Sequence, residues 1–376
     1  MPEVQARSVR TVRLGPLPLL NHFLDRLGLP ALLERFVPTT DRRCRLPYAQ
    51  SLGVLLRSIL VEREPIYRQQ ETVRGFAPEL FGLEPAELEC LHDDTIGRAL
   101  DRLFEAERGA LMTEVIVTAV QRFGIDLQEL HNDTTSIRFT GQYRAARGRR
   151  VRGLRALCIT FGHSKDHRPD LKQLLLILTT SADGGIPVQF RSADGNTSDS
   201  QTHLETWEAL CRITGRVDFL YVADSKLCSG ENMDYIARRH GRFVTVLPRS
   251  RREDGEFRTW IQDHEPDWET VWDRPHPRRR HGPRDLWRVW HATLPSREGW
   301  PLVWVYSALL ALHQEQARRA RLARAMQDLE RLRAQLSGPR PRLRSSTEVQ
   351  KRAEHLLRKQ DVERYVRVRV EMHEEP

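Results

Sequence analysis

Cysteine is scarce in this chain and badly spaced for structural work. The 376 residues include five, Cys44, Cys90, Cys158, Cys211 and Cys228, with no CxxC pair and an odd count. That excludes a paired disulfide framework and a zinc knuckle, and it fits a reducing cytoplasm. Long apolar runs are missing too: none approaches the ~18 residues of a membrane span, and stretches such as Leu174 to Leu178 are strand-sized. The first residues, MPEVQARSVRTVRLG, hold no apolar signal core. Acids are the minority charge, 51 Asp+Glu against 60 Lys+Arg, which gives +9 and a pI near 9.6. That balance favours a polyanionic partner, nucleic acid being the commonest. Free use of arginine by a GC-rich genome gives the same charge. With 30% charged and 39% hydrophobic residues, the chain reads as globular and long enough for two or three domains.

What is present changes character along the chain. Residues 1–115 carry helical periodicity. Leu19, Leu20, Phe23, Leu24, Leu27, Leu32 and Leu33 recur at roughly helical spacing, and Pro30 divides the run into two helices. A further helix runs to Pro65, and another places Ile96, Leu100, Leu103 and Phe104 on one face, with Asp94 or Thr95 as its N-cap. Such a domain serves DNA binding, dimerisation or plain packing. Near residue 124 the period becomes that of strands. GIDLQELHNDTTSIRF reads as a strand leading into a polar turn, with Asp133 at the strand's end, GLRALCITFGHS reads as a second strand, and LKQLLLILTTSADGGIPVQF reads as a hairpin turning at Asp183-Gly184-Gly185. SDSQTHLETWEALCRI follows as a helix, with a capping-box pattern at Thr202 and Glu205. VDFLYVADS is a strand, SGENMDYIARRHG a helix with Ser229 at its N-cap, and RFVTVLP a strand.

Antiparallel strands followed by alternating helix and strand make an α/β (α+β) core of RNase H-like order over residues 116–248. From 249 to 306 the chain is rich in Arg and Trp, seven of the eight Trp lying after residue 250, and reads as a β-rich insertion. Residues 307–376 give a long helix with Leu322, Met326, Leu329, Leu332 and Leu336 in one stripe, then a linker and another helix. In the last segment Val366, Val368, Val370 and Met372 alternate with polar residues, as in a strand with one buried face.

Two aspartates follow apolar strands in this order, Asp133 in LHNDTTS and Asp224 in FLYVADS. Neighbouring strands would converge their carboxylates, and hard oxygen donors suit Mg²⁺ or Mn²⁺. Taken singly, an Asp after a strand is usually just a turn residue; it is the pair in this order that points to a shared site. In SKDHRPD, Lys165, His167 and Arg168 are placed for phosphates or for solvent. In GNTSD, Asn196 and Thr197 offer hydrogen bonds to backbone or phosphate, Gly195 allows a tight turn, and Ser198 or Asp199 can cap the next helix. Arg278, Arg279 and Arg280 form a basic cluster among prolines that suits phosphate contacts rather than base reading.

The runs HNDTTSIRFTG, GHSKDHRPDLKQLLLILTTSADGGIPVQFRSADGNTSDSQTH and YVADSKLCSGENMDYI together resemble bacterial insertion-sequence transposases of the DDE superfamily. They look like the branch with a helical N-terminal domain and a β-rich insertion, and DDTIGRALDRLF is similar to the end of that domain. The resemblance implies an RNase H-like core, with Asp133 as first acid and Asp224 as second. It also implies two-metal cutting and joining of DNA at terminal inverted repeats, by a homodimer on DNA. The family's third acid, a Glu in a Tyr-x2-Arg-x3-Glu-x6-Lys setting, has no match here. Glu348, Glu354, Glu363 and Glu371 lack the context, and Glu330 reads as a surface residue. The expectation is a chain truncated before that acid. Three functions follow for comparison: an active transposase, a derivative that only binds DNA or regulates the intact enzyme, and an RNase H-like nuclease of unrelated use.

Overall fold

The computed structural model describes residues 11–163, 168–276, 282–337 and 345–371. The chain divides into two compact units, Met1–Pro248 and Arg249–Pro376. No helix among the described residues is long and apolar enough to cross a membrane.

The first unit opens with helices α1 (Leu17–Arg26), α2 (Leu29–Phe36), α3 (Tyr48–Val61), α4 (Gln69–Arg74), α5 (Asp93–Glu105) and α6 (Arg108–Phe123). Gly28, at φ 63°, separates α1 from α2, and Pro30 sits in the first turn of α2, where its missing N–H costs nothing. The cap of α5 is His92, with Asp93 and Asp94 in the first turn against the helix dipole, so the start falls earlier than the periodicity suggests. Leu17, Leu46, Val54, Val73, Phe76, Phe81 and Ile96 close one core between these helices.

The same unit then builds β1 (Glu129–Phe139), the short β2 (Arg150–Val151) and β3 (Leu154–Arg155), β4 (Lys172–Ser181) and β5 (Pro187–Asp194). Helix α7 (Asp199–Thr214), β6 (Leu220–Ala223), α8 (Gly230–Arg238) and β7 (Arg242–Thr245) complete it. Five of these strands form one sheet in the order β5-β4-β1-β6-β7. β4 is antiparallel to both β1 and β5, whereas β6 runs parallel to β1 and β7 parallel to β6. This is an RNase H-like mixed sheet with flanking helices. Leu130, Val188, Trp207, Leu210, Phe219, Tyr221 and Ile236 form its core.

Two local readings change and a third holds. The segment GLRALCITFGHS is not a strand of the sheet: Leu154–Arg155 pair with Arg150–Val151, and beyond them only isolated bridges, Arg147 to Cys158 and Thr160 to Gln173, are made. Both edges of β1 are already taken, by β4 and β6, which leaves this segment nowhere central to pair. Thr202 lies inside α7, whose cap is Ser198, and Glu205 pairs with Arg191 instead of completing a capping box. Ser229 caps α8 as its sequence suggests, accepting from the Asn232 N–H at 3.2 Å.

The second unit contains α9 (Arg252–Trp260), β8 (Glu269–Arg274), β9 (Asp285–His291), β10 (Val303–Ser307), α10 (Ala308–Leu336) and α11 (Ser346–Lys359). The three strands form a sheet of order β10-β9-β8. Phe257 and Trp260 of α9 stack on it, Phe257 over Trp304 at 3.8 Å and Trp260 over Trp290 at 4.9 Å between ring centres. Val366 and Val368 do alternate inward, onto Ala325, Leu357 and Val362, but this segment is extended without a strand partner. Met372 lies outside the described residues.

Arg251 sits between Glu253 and Glu298, at 2.8 and 2.6 Å, with all three side chains at most 20% exposed. Its hydrogen bond, with help from the Arg297 N–H, lowers the Glu253 carboxyl from 4.5 to about 2. Glu298 is lowered by the same guanidinium. A depressed carboxyl stabilises the folded form above its unfolded value and loses that contribution as pH falls through the folded one. We therefore expect Arg251→Met to cost about 1–3 kcal/mol at pH 7 by leaving two carboxylates unpaired. The gap to the parent should narrow between pH 4.5 and about 2 as Glu253 protonates. Urea unfolding followed by tryptophan fluorescence measures this, since most Trp lie in this unit; a gap independent of pH would contradict it.

Candidate active site

Strand β1 does not end at Asp133, as the sequence suggests, but runs six residues further, paired with β4 throughout. What ends there is β6. Its register against β1 closes with Asn132 opposite Ala223. Asp133 is the next residue on β1 and Asp224 the first residue past the end of β6, so the two acids follow directly on the last paired positions of two parallel strands that lie about 4.8 Å apart. Alternation along β1 buries Leu130, Asn132, Thr134 and Ser136 and leaves Asp133 exposed.

Each acid is oriented by its own backbone. Asp133 accepts from the Thr134 N–H at 2.7 Å, and Asp224 accepts from the Lys226 N–H at 3.0 Å, the turn that carries the chain off β6. The Thr245 hydroxyl at the end of β7 donates to the Asp224 carbonyl at 2.7 Å. Side-chain exposure of Asp224 is 44%, so its carboxylate reaches solvent.

One neighbour was not legible as part of the site. His203 of α7 is 3% exposed, and its Nε2 lies 3.8 Å from Asp224 Oδ1. Its Nδ1 is 3.1 Å from the Tyr221 hydroxyl. Burial, with the Asp224 charge adding to it, raises the Tyr221 phenol well above its ordinary value, so that phenol keeps its proton. The imidazole thus bridges the Tyr221 hydroxyl and the neighbourhood of the Asp224 carboxylate. The available signal was spacing: His203, Trp207 and Leu210 form one buried stripe along α7.

The other residues named from sequence lie elsewhere. Asn196 is exposed beside buried Gly195 at the far end of the hairpin. Asp194 there is level with Leu174, itself level with Ile137 on β1, four residues along from Asp133. Arg168 is exposed and held by Asp170 at 2.7 Å, which raises its pKa further. Lys165, His167, Arg278, Arg279 and Arg280 lie outside the described residues. Gly195 proves to be a packing glycine rather than a conformational one. A Cβ there would stand 2.0 Å from the Gln173 carbonyl oxygen and 2.6 Å from that of Thr160. Among the described residues no group of three or more His, Cys, Asp or Glu gathers that could hold a metal ion. Two adjacent, solvent-reaching carboxylates do fit a hard divalent cation as a partial ligand set.

The solved structures this chain resembles are transposases. One is the piggyBac transposase synaptic complex with hairpin DNA, at 10% identity and a TM-score of 0.36, matching 76% of this chain and 60% of that one. Another is the Mos1 transposase paired-end complex with left transposon end, at 10% identity and a TM-score of 0.21, matching 57% of this chain and 71% of that one. A third is the Mos1 mariner paired end complex with Mn, at 11% identity and a TM-score of 0.22, over 65% and 73%. The chain thus spans 60% of the length of the piggyBac chain. Residues 9–117, most of the helical region, match a domain of unknown function, DUF4277. No functionally curated protein matches.

Proposed function

We propose that this protein is a DNA transposase of the insertion-sequence type, cutting and joining phosphodiester bonds at the ends of its element with Asp133 and Asp224 as metal-binding acids. The observation that carries the reading is their place: each directly follows the last paired position, Asn132 opposite Ala223, of two adjacent parallel strands of an RNase H-like sheet. Mg²⁺ or Mn²⁺ held there would activate a water or 3′-hydroxyl and stabilise the leaving oxygen. The chain's own contribution is positional. The Lys226 and Thr134 N–H groups aim the two carboxylates, and His203, hydrogen-bonded to Tyr221, sets its buried ring beside the inner side of Asp224. The net charge of +9 suits a DNA partner. The domain limits 1–115, 116–248, 249–306 and 307–376, terminal inverted repeats as the site of action, and a homodimer on DNA belong to the same proposal.

A second reading is favoured by the pair standing without a third acid among the described residues: a protein that binds element ends but does not cut them. The test is incubation of the chain with Mn²⁺ and DNA carrying the element's own ends. Nicking that requires the metal supports the transposase. End-specific binding with no nicking at any metal concentration supports the binding-only protein.

A further inference from the structure

Residues 134–165 hold no Asp or Glu but seven Arg and one Lys. Asp133 is the last acid before this run, so the basic stretch begins on the strand that carries the candidate site. The chain leaves the sheet at Phe139 and returns at Thr160, and both ends meet Gln173 of β4: Arg138 pairs with it on one side and Thr160 bridges it on the other. Between them lies an arm of about twenty residues with the β2–β3 hairpin in it.

The arm is fixed by ion pairs at its hairpin turn and on its way back to the sheet. Arg152 bonds Asp101 and Glu105 of α5, at 2.7 and 2.6 Å. Arg155 bonds Asp194 at the end of β5, whose other carboxylate oxygen accepts from the Cys158 N–H at 2.9 Å. Asp101, Glu105 and Asp194 are thereby engaged. Arg144, Arg147, Arg149 and Arg150 are all exposed and make no ion pair among the described residues. Other exposed arginines of the unit are neutralised, as Arg35 is by Glu114, Arg43 by Asp41, Arg74 by Glu89 and Arg216 by Asp218, and those without an acid, such as Arg42, Arg63 and Arg122, are spread along the chain rather than gathered four within seven residues. Four uncompensated guanidinium groups on an anchored arm are a fitted surface for a row of phosphates.

We propose that this arm, through Arg144, Arg147, Arg149 and Arg150, is a docking surface for the backbone of duplex DNA; the inference rests on the reading of the protein as one that acts on DNA. The end of β1 lies six residues past Asp133, roughly 20 Å along the strand. At about 3.4 Å per base pair, a duplex with its reacting phosphate at Asp133 meets the arm roughly six base pairs away. The arm holds the duplex in place and takes no part in the chemistry.

The experiment measures binding of the full chain to a fluorescent mixed-sequence duplex without element ends, by anisotropy across a series of KCl concentrations. Three fourfold variants are compared: Arg144, Arg147, Arg149 and Arg150 to Gln; the same four to Lys; and Arg35, Arg43, Arg74 and Arg216 to Gln, which lowers net charge equally. The slope of log K against log salt should fall by about 0.9 per lost contact in the first, up to about 3.6, and be nearly unchanged in the other two. Retention in the Lys variant shows that charge, not damage to the arm, is responsible. Equal slopes for both Gln variants would mean that overall charge alone matters and would overturn the arm. Arm-dependent binding of single-stranded RNA but not of the duplex would overturn the choice of partner. A parent protein that binds no DNA at all sinks the functional reading and the arm with it, whereas a DNA-binding parent with an unchanged arm-variant slope sinks only the arm.

Discussion

Gly195→Ala should cost the first unit at least about 3 kcal/mol, near the upper end of what a single added methyl group does. The reason is the kind of atom in the way. The new Cβ would meet the Gln173 carbonyl oxygen at 2.0 Å, the Thr160 oxygen at 2.6 Å and the Gln173 carbonyl carbon at 2.9 Å, all of them backbone. No side chain can swing aside. Relief requires parting three strands of contact held by Gly195 N–H to Cys158 O at 3.1 Å, Gln173 N–H to Thr160 O at 2.8 Å and Gln173 Nε2 to Gly195 O at 2.8 Å. Gly162 faces the same point, where its own Cβ would stand 1.9 Å from the Gly195 oxygen. For a unit of this size the loss corresponds to a fall in Tm of roughly 6–12 °C. Gly97→Ala on α5 is the control. Nothing lies within 4 Å of its added Cβ, so it should leave Tm level or slightly raised. A Gly195→Ala protein melting with the parent would contradict the packing described here.

Asp133→Asn and Asp224→Asn should each reduce metal-dependent strand cleavage by roughly 10²-fold or more while leaving the fold intact. Asparagine keeps the oxygen that accepts from Thr134 N–H at position 133 and from Lys226 N–H at position 224, so both local hydrogen bonds survive. What it removes is the negative charge that a hard cation would need at the proposed site. Circular dichroism and Tm unchanged beside a collapsed cleavage rate is the expected pair of results. Cleavage persisting in either variant would move the chemistry away from this sheet edge.

Both glycine and carboxylate predictions rest on features the sequence shows unevenly. The alternation of β1, β4 and β5, the helix–strand order after residue 195 and the cap at Ser229 were readable because each is local. So was the position of both aspartates beside apolar segments. The length of β1 was not: past Asp133 its buried face is Thr134 and Ser136, polar residues that look like a turn until β4 is seen alongside. GLRALCITFGHS has strand composition but finds both edges of β1 occupied, a fact of topology that no window of sequence contains. Gly195 looked like a turn glycine because sequence gives its neighbours along the chain, not the Gln173 and Thr160 carbonyls packed on it. His203 was hidden for the same reason, since its contacts with Tyr221 and Asp224 span about twenty residues. Its stripe with Trp207 marked it as buried without saying beside what.

The central claim is that Asp133 and Asp224 form one cation site. Titration of the full chain with Mn²⁺, followed by the loss of free-ion EPR signal, tests it without relying on activity. The account predicts a site in the parent that both Asp133→Asn and Asp224→Asn weaken by about tenfold or more, with the double variant little worse than either single one, because a shared site is lost only once. Binding that neither substitution alters, or two losses that simply add, would show that the two carboxylates do not act together.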